Sequence, residues 1–455
     1  MIKCPNCEGE MNFEPGVQEV VCQYCGTKFN PNELNRDVKA SKEVNDIEGK
    51  AYMCTQCGAR LLTFDETAIT FCSYCGSQGM LEDKMMKVNK PEFIIPFKVT
   101  KEEVIKKYKA KVNANVFVPD YLKSDVVIDK FRGIYMPYSI YSFDYKGPCS
   151  NSGSKYSHHS GNYDYYNDYT IDCDVDAKFE GVSKDLRSNF YDKFSENLVF
   201  DLNGKEAYNP NYLIGYYADV ADVNPEIYVD NARNDAEKEI VEMMLKQGKF
   251  RRYGCSYPNV PMTNCQYVSA MVPFYFLAIR DKTKDRIYYA VVNGQTGEMI
   301  VDLPTSKPKF IILSLIISLI IYGLIFNFNL FNARNICIAV AILGLFSSIL
   351  IGVQAGKIKS MFYHEDDEGY YTVHQVSEEA NTVKTFKYLV KSLIATVAPI
   401  AIYAMDLTND YITYSVAIIC LILIILSFGD LINIHNFLVS NKLPQLEKRG
   451  GDESE

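Results

Sequence analysis

Eight cysteines near the start of the chain form one pattern written twice: Cys4-x-x-Cys7 with Cys22-x-x-Cys25, then Cys54-x-x-Cys57 with Cys72-x-x-Cys75, each member of the second set fifty positions after its counterpart. A C-x-x-C turn aims two sulfurs at one point. A second such turn brought across a short hairpin completes the tetrahedron that zinc accepts from four thiolates. Four thiolates also close the coordination sphere, which leaves no position for water or substrate, so each ion is expected to fold its module and not to catalyse. A disulfide framework or a redox C-x-x-C would use the same residues. The doubled spacing, and Gly26, Gly58 and Gly76 directly after three of the knuckles, fit ribbon turns instead; Cys7 is followed by Glu8. The expectation is two structural Zn2+ ions in two ribbons, residues 1–45 and 46–80.

These thiols need a scaffold and a compartment. At 455 residues the chain has room for two to four domains, and its 48% apolar and 23% charged composition suits globular and membrane parts together. No apolar leader precedes the first knuckle, and zinc-binding thiols argue for a reducing compartment, so the N-terminal part is expected in a cytoplasm.

Beyond Pro308 the composition turns apolar in four runs, 310–326, 336–353, 388–405 and 411–428, which hold Lys391 as their single charge. Each is at the short end of what a hydrocarbon core of roughly 30 Å requires, and the expectation is four transmembrane helices within 305–440, followed by a cytosolic tail at 441–455. Lys307, Lys309, Lys357, Lys359, Lys384, Lys387, Lys391, Lys442, Lys448 and Arg449 lie on one side of such a bundle and Arg334 on the other. The positive-inside rule then puts both termini in the cytoplasm. Mid-depth positions carry only Ser314, Ser318, Ser347, Ser348 and Thr396, which argues for an anchor over a transporter. Gly344, Ser348 and Gly352 would let the second helix approach a neighbour closely, and Pro399 sits inside the third.

Between a linker at 81–95 and the membrane part, residues 96–304 read as a mostly antiparallel α+β domain. Thr100-x-x-Glu103 is a capping box opening a helix with Val104, Ile105, Tyr108 and Val112 on one face. A second helix is expected from Asn234 to Gly248. Residues 169–180 alternate apolar and polar as a half-buried strand does. Asp172, Asp174 and Asp176 match the opening of a calcium loop, but Ala177 and Ser183 stand where such a loop needs glycine and glutamate, so a solvated strand face is the better reading. His158 and His159 fall in a Ser/Gly/Asn/Tyr stretch, 147–167, expected to be a mobile loop. Residues 135–141 and 270–276 echo each other, each with a proline and aromatics entering a strand, and Asn293-Gly294 is expected to turn with positive dihedrals.

The ribbon pattern, Ile95-Pro96-Phe97, Gly133-x-Tyr135-x-Pro137, Tyr212-Leu213-x-Gly215-Tyr216, and Val292-Asn293-Gly294-Gln295-Thr296-Gly297-Glu298 followed by Leu303-Pro304 and apolar helices together resemble the transcription-factor-IIB-type zinc-ribbon multipass membrane proteins of Firmicutes and related bacteria. The resemblance covers most of the chain. It departs at Tyr138 and Ser139, where the family has tryptophan after its Gly-x-Tyr-x-Pro motif. It implies partners similar to phage-shock protein A and flotillin at the membrane, and so a recruiting platform in envelope-stress response.

Other function classes fit less well. No Gly-x-x-x-x-Gly-Lys-Ser/Thr loop, Gly-x-Ser-x-Gly elbow or His-Glu-x-x-His helix is present, so no catalytic residue is assigned and an enzyme is not expected. A membrane enzyme without a recognisable motif is one alternative; a membrane-tethered nucleic-acid-binding regulator is the other. Residues 1–80 hold seven basic and eleven acidic side chains, net −4, and each Zn(Cys)4 centre adds a further −2, which repels phosphates. The one basic stripe, Lys98, Lys101, Lys106, Lys107, Lys109 and Lys111, reads as a solvated face or a contact for anionic lipid. The expectation is therefore a multidomain membrane protein with tandem zinc ribbons, an α+β domain and a four-helix transmembrane bundle, binding protein partners.

Overall fold

A computed structural model of the chain describes residues 3–34, 46–64, 69, 72–161, 163–187, 194, 198–250, 262–281, 286–326, 333–364, 385–405 and 410–442. The first cysteine module is a small antiparallel sheet of β1 (Met11–Glu14), β2 (Glu19–Cys22) and β3 (Lys28–Phe29). Met11 and Phe13 on β1 and Val20 and Cys22 on β2 are buried, the alternation that a one-sided sheet demands. There follow β4 (Asp46–Cys54), β5 (Arg60–Thr63), β6 (Met80–Asn89), β7 (Phe93–Ile94), α1 (Lys101–Ala114), a single turn α2 (Asp125–Ile128), β8 (Arg132–Ser160), β9 (Tyr163–Asp185), β10 (Glu206–Ala207) and β11 (Tyr217–Asp219). The chain continues with α3 (Val229–Gly248), β12 (Thr263–Asp281), β13 (Arg286–Asn293), β14 (Met299–Val301), α4 (Lys307–Phe326), α5 (Ala333–His364), α6 (Thr385–Ala404), α7 (Asp410–Val439) and β15 (Asn441–Lys442).

Strands β4 to β15 form one mixed sheet with the path β10-β7-β12-β8-β11-β5-β4-β6; β9 adds to β8, β13 to β12, and β14 and β15 to β13. Most joints are antiparallel, but β12 meets β7 and β11 meets β8 in parallel. The second cysteine module is therefore not a separate ribbon: its strands continue the sheet of the α+β domain through the β5–β11 joint. The expected linker at 81–95 is likewise strand, most of it β6 paired along β4. Sequence spacing marks where a knuckle turns, but it does not say which neighbour completes a two-residue ladder. The two echoing segments lie side by side, with Tyr135 opposite Pro273 and Pro137 opposite Met271.

The expected loop at 147–167 is instead the distal part of a long hairpin. β8 and β9 run antiparallel from Tyr138 opposite Asp185 to Ser160 opposite Tyr163, and Gly161 at the tip takes φ +64°. Its tyrosines favour extended backbone on a solvated ribbon. β12 accompanies β8 only to Asp144, so the hairpin projects beyond the sheet for roughly 50 Å at ~3.3 Å per residue. On one face Cys149, Ile171, Cys173 and Val175 pack against Ala236, Ile240, Val241 and Leu245 of α3; Asp172, Asp174 and Asp176 are exposed on the other, as the strand reading requires. Helix α3 begins five residues before Asn234, because the Asn224 side chain accepts from Glu226 N at 3.1 Å and starts a 3-10 turn, Pro225–Tyr228, that runs into the helix.

Four of the segments carrying the resemblance, those of Phe97, Tyr135, Tyr216 and Gly294, meet at one ring. Phe97 stacks on Tyr216 at 4.2 Å and meets Tyr135 at 5.0 Å and Tyr275 at 4.7 Å. A Cβ at Gly133 would come 3.1 Å from Phe97 Cζ and 2.4 Å from Tyr216, and one at Gly294 would come 2.4 Å from Phe97. Glycine is needed at 294 for this close approach and not for a positive dihedral: the left-handed residue of that turn is Gly297, φ +74°, while the Asn293 side chain accepts from Gln295 N at 2.8 Å and Thr296 N at 3.0 Å. The capping box of α1 forms as expected, with Thr100 Oγ1 accepting from Glu103 N and Glu103 accepting from Thr100 N.

Buried tyrosines leave a titration signature. Burial pushes the phenols of Tyr74, Tyr135 and Tyr216 well above their ordinary range, and that of Tyr141 up to about 12. An acid whose folded pKa exceeds its unfolded value of about 10 holds stability that is complete below pH 10 and is lost as pH rises towards the folded value. Apparent Tm is expected to hold between pH 7 and 9.5 and to fall above pH 10. Tyrosinate absorbance at 295 nm should show a class of phenols that ionises only with unfolding; smooth ionisation of all of them near pH 10 in the folded protein would contradict the packing.

Among the described residues, two helices are long and apolar enough to cross a membrane, Asn335–Gln354 within α5 and Tyr411–Val439 within α7. Leu389–Ala404 of α6 is shorter, and of α4 only the side chains up to Ile316 are described. The expected four spans thus reduce to two that meet the length test. α5, α6 and α7 pack together around Val340, Ala395, Ala417, Cys420 and Ile424. At Gly344 α5 and α6 approach closely: a Cβ there would lie 2.8 Å from Thr396 Oγ1. Helices and sheet are tied directly: Thr305 and Asn436 exchange two hydrogen bonds, of 2.7 and 2.9 Å, and β15 returns from α7 to pair with β13. The loops 327–332 and 406–409, and the tail beyond Lys442, lie outside the described residues.

Candidate metal centres

All four knuckles share one backbone design. The N–H of the residue after each second cysteine donates to the carbonyl of the first: Glu8 to Cys4 at 2.8 Å, Gly26 to Cys22 at 3.0 Å, Gly58 to Cys54 at 2.9 Å and Gly76 to Cys72 at 2.9 Å. That residue is left-handed every time, with φ of 56°, 71°, 74° and 68°. Each first cysteine N–H in turn donates across the knuckle, to Gly9, Thr27, Ala59 and Ser77 carbonyls at 2.7–2.9 Å.

The sulfurs then converge. Sγ atoms of Cys4 and Cys25 are 3.7 Å apart and those of Cys7 and Cys22 3.5 Å; Cys54 and Cys75, like Cys57 and Cys72, are 3.6 Å apart. Within each quartet all four lie within 4.8 Å of one another. A tetrahedral ion about 2.3 Å from each sulfur has edges of about 3.8 Å, whereas a disulfide requires about 2.05 Å. The spacing fits a metal and not a cystine. Among the described residues these are the two groups of three or more Cys, His, Asp or Glu that converge this way, and they are the eight residues the sequence singled out.

The two centres sit in different surroundings. Cys25 of the first is exposed, and the Thr27 hydroxyl, 3.1 Å from its Sγ, together with the Thr27 backbone lowers its thiol to about 6. The first module docks on the Tyr212–Gly215 segment: Phe13 meets Tyr212 edge-on at 5.2 Å, and Asn211 donates to the Pro31 and Leu34 carbonyls at 2.7 and 2.9 Å. All four cysteines of the second centre are buried, in a core with Tyr52, Tyr74, Phe276 and Ala278.

Glu8 is the exception among the four left-handed positions, and a side chain there costs about 1 kcal/mol relative to glycine. Glu8→Gly is expected to slow metal loss to a chelator from the first centre by a few-fold and to leave the second unchanged. Faster loss would show that the carboxylate matters more than the dihedral.

Other sequence candidates are placed apart from these centres. His158 stacks on Tyr165 at 4.7 Å and His159 meets Asp164 at 2.8 Å, both on the hairpin tip. Four of the six lysines of the basic stripe are engaged with their own chain: Lys101 with Asp129 O, Lys107 with Gly297 O, Lys109 with Asp125 and Lys111 with Met299 O, at 2.8–3.2 Å. One buried ionic cluster carried no sequence signal, since its members are far apart in the chain. Arg187 Nε lies 3.1 Å from Asp219 and its NH1 3.2 Å from Asp222, while the Tyr74 hydroxyl donates to Asp219. Burial pushes the Asp219 carboxyl up and Arg187 pulls against it; burial also opposes the charge on Arg187, and Asp219, Tyr74 and Asp222 outweigh it. Because Tyr74 directly precedes Cys75, this cluster pins the fourth knuckle to β11.

No family model matches the chain, and no solved structure matches it. It is similar to an uncharacterized protein, YdjG of Bacillus subtilis (strain 168), with 23% identity over 312 residues, covering 68% of this chain and 91% of that protein.

Proposed function

We propose that this protein is a membrane-anchored platform of the transcription-factor-IIB-type zinc-ribbon kind, which holds protein partners at the cytosolic face of the membrane in an envelope-stress response. The observation that carries the reading is the pair of closed four-sulfur centres: Zn2+ bound there has no position for a substrate, so the metal's work is to stiffen a binding surface. In this reading all four apolar runs span, with helix tilt and flanking residues lengthening the short ones, and both termini are cytoplasmic. The chain is not an enzyme; its net charge of −9 and the engagement of the α1 lysines disfavour nucleic acid.

The hairpin is the arm that meets the partner. Tyr156, Tyr163, Tyr165 and Tyr169 are exposed towards its tip, and tyrosines on a stiff ribbon give large contact area at low entropic cost. The test is crosslinking and mass spectrometry on the membrane-embedded full chain in its own cell, with and without residues 154–168. A protein partner lost on deletion, with metal content unchanged, is the expected result. Specific DNA binding at physiological salt, or labelling of the ribbon cysteines from outside intact cells, would overturn the reading.

A further inference from the structure

Three sulfurs outside the ribbons meet where the hairpin leaves the sheet. Cys149 on β8 stands directly opposite Cys173 on β9, both on the face that α3 covers. Met244 of α3 reaches between them, its Sδ 4.0 Å from the Sγ of each. Cys149 is 4% exposed, and Asn151 Nδ2 donates to its sulfur at 2.9 Å. A buried sulfur that accepts a bond from an amide is one whose thiolate form has a donor ready.

We propose that Cys149, Cys173 and Met244 form a trigonal site for a soft monovalent cation, Cu(I). The spacing is the first reason. An ion about 2.3 Å from three sulfurs in one plane puts those sulfurs about 4.0 Å apart, which matches the two separations to Met244. The donor set is the second reason. Two thiolates and a thioether select Cu(I), whereas zinc takes four ligands drawn from thiolate, imidazole and carboxylate. Among the described residues no third Cys, His, Asp or Glu converges on this pair, as a zinc site would require. Burial holds the Cys149 thiol above its usual range, which disfavours a bare thiolate there. On binding, Cys149 and Cys173 each release their proton to solvent and three metal–sulfur bonds replace the donor ligands of the incoming ion. The metal would then tie α3 to both strands of the hairpin and fix the direction of the arm.

The test uses the full-length, zinc-loaded protein in detergent under argon, with Cu(I) delivered from a bicinchoninate complex and both metals counted after desalting. One equivalent of copper with all zinc retained is expected, with X-ray absorption showing three sulfur neighbours. Cys149→Ala with Cys173→Ala should lose that equivalent while zinc stays. Met244→Leu, which keeps volume and folding, should weaken copper binding by tenfold or more. Cys265→Ser, on a cysteine that packs against the same core, should change nothing. Copper taken up only as zinc leaves, an unchanged titration in Met244→Leu, or a mapped Cys149–Cys173 disulfide with no copper uptake would each overturn the proposal.

Discussion

Cys72→Ser is expected to abolish the folded sheet domain, whereas Cys25→Ser should remove one metal ion and leave that domain standing. The two substitutions delete the same atom type from the same four-sulfur geometry, so the contrast isolates where each centre sits. Cys72 is fully buried, and its centre closes the turns that join β4, β5 and β6, which continue through β11 into β8 and β12. Binding free energy at a structural zinc site is about 10–16 kcal/mol in small peptides, against roughly 5–15 kcal/mol for the net stability of a whole domain. Losing the second centre should therefore exceed what the sheet can absorb. Cys25 is exposed on a three-stranded module with its own sheet, held to the domain by the Phe13–Tyr212 contact and the amide of Asn211. Metal analysis with near-ultraviolet tyrosine circular dichroism would read both outcomes. A Cys72→Ser protein that keeps its tyrosine signal would show that the sheet holds together without its metal.

The same contrast explains what could be read from the sequence. The two cysteine quartets were legible because a tetrahedron of sulfurs needs a fixed local spacing, and local spacing is what a sequence displays. The capped start of α1 and the alternating strand at 169–180 were legible for the same reason, since each is decided within a few residues. What could not be read was pairing between distant segments. Nothing near Arg60 announces that β5 meets Tyr217–Asp219, and nothing in a run of Ser, Gly, Tyr and His distinguishes a loop from a two-stranded ribbon whose partner lies just beyond one glycine. The Arg187–Asp219–Tyr74 cluster falls in the same class, because its members become neighbours only after the sheet has formed.

Phe97→Ala should cost about 3–5 kcal/mol, the usual range for deleting a fully buried phenylalanine, and lower apparent Tm by about 6–20 °C for a domain of roughly 200 residues. The ring joins separated segments of the chain: it follows Pro96, stacks on Tyr216, meets Tyr135 and Tyr275, and fills the space that Gly133 and Gly294 leave open. Gly294→Ala attacks the same contact from the other side by placing a methyl where the ring edge lies, at an overpacking cost of about 1–3 kcal/mol. If the shared ring is the reason for both effects, they will not add. The double variant offers the new methyl part of the space that the ring vacates, although Pro273 Cβ at 2.9 Å limits the relief. A coupling of about 1 kcal/mol or more in the compensating direction is therefore expected in thermal unfolding of the detergent-solubilised chain. Strict additivity would mean that Gly294 is required by its turn and not by Phe97. The separated motifs would then be independent local signals, and not the walls of one packed site on which the first cysteine module, the α1 cap and the strand leading to the apolar helices all depend.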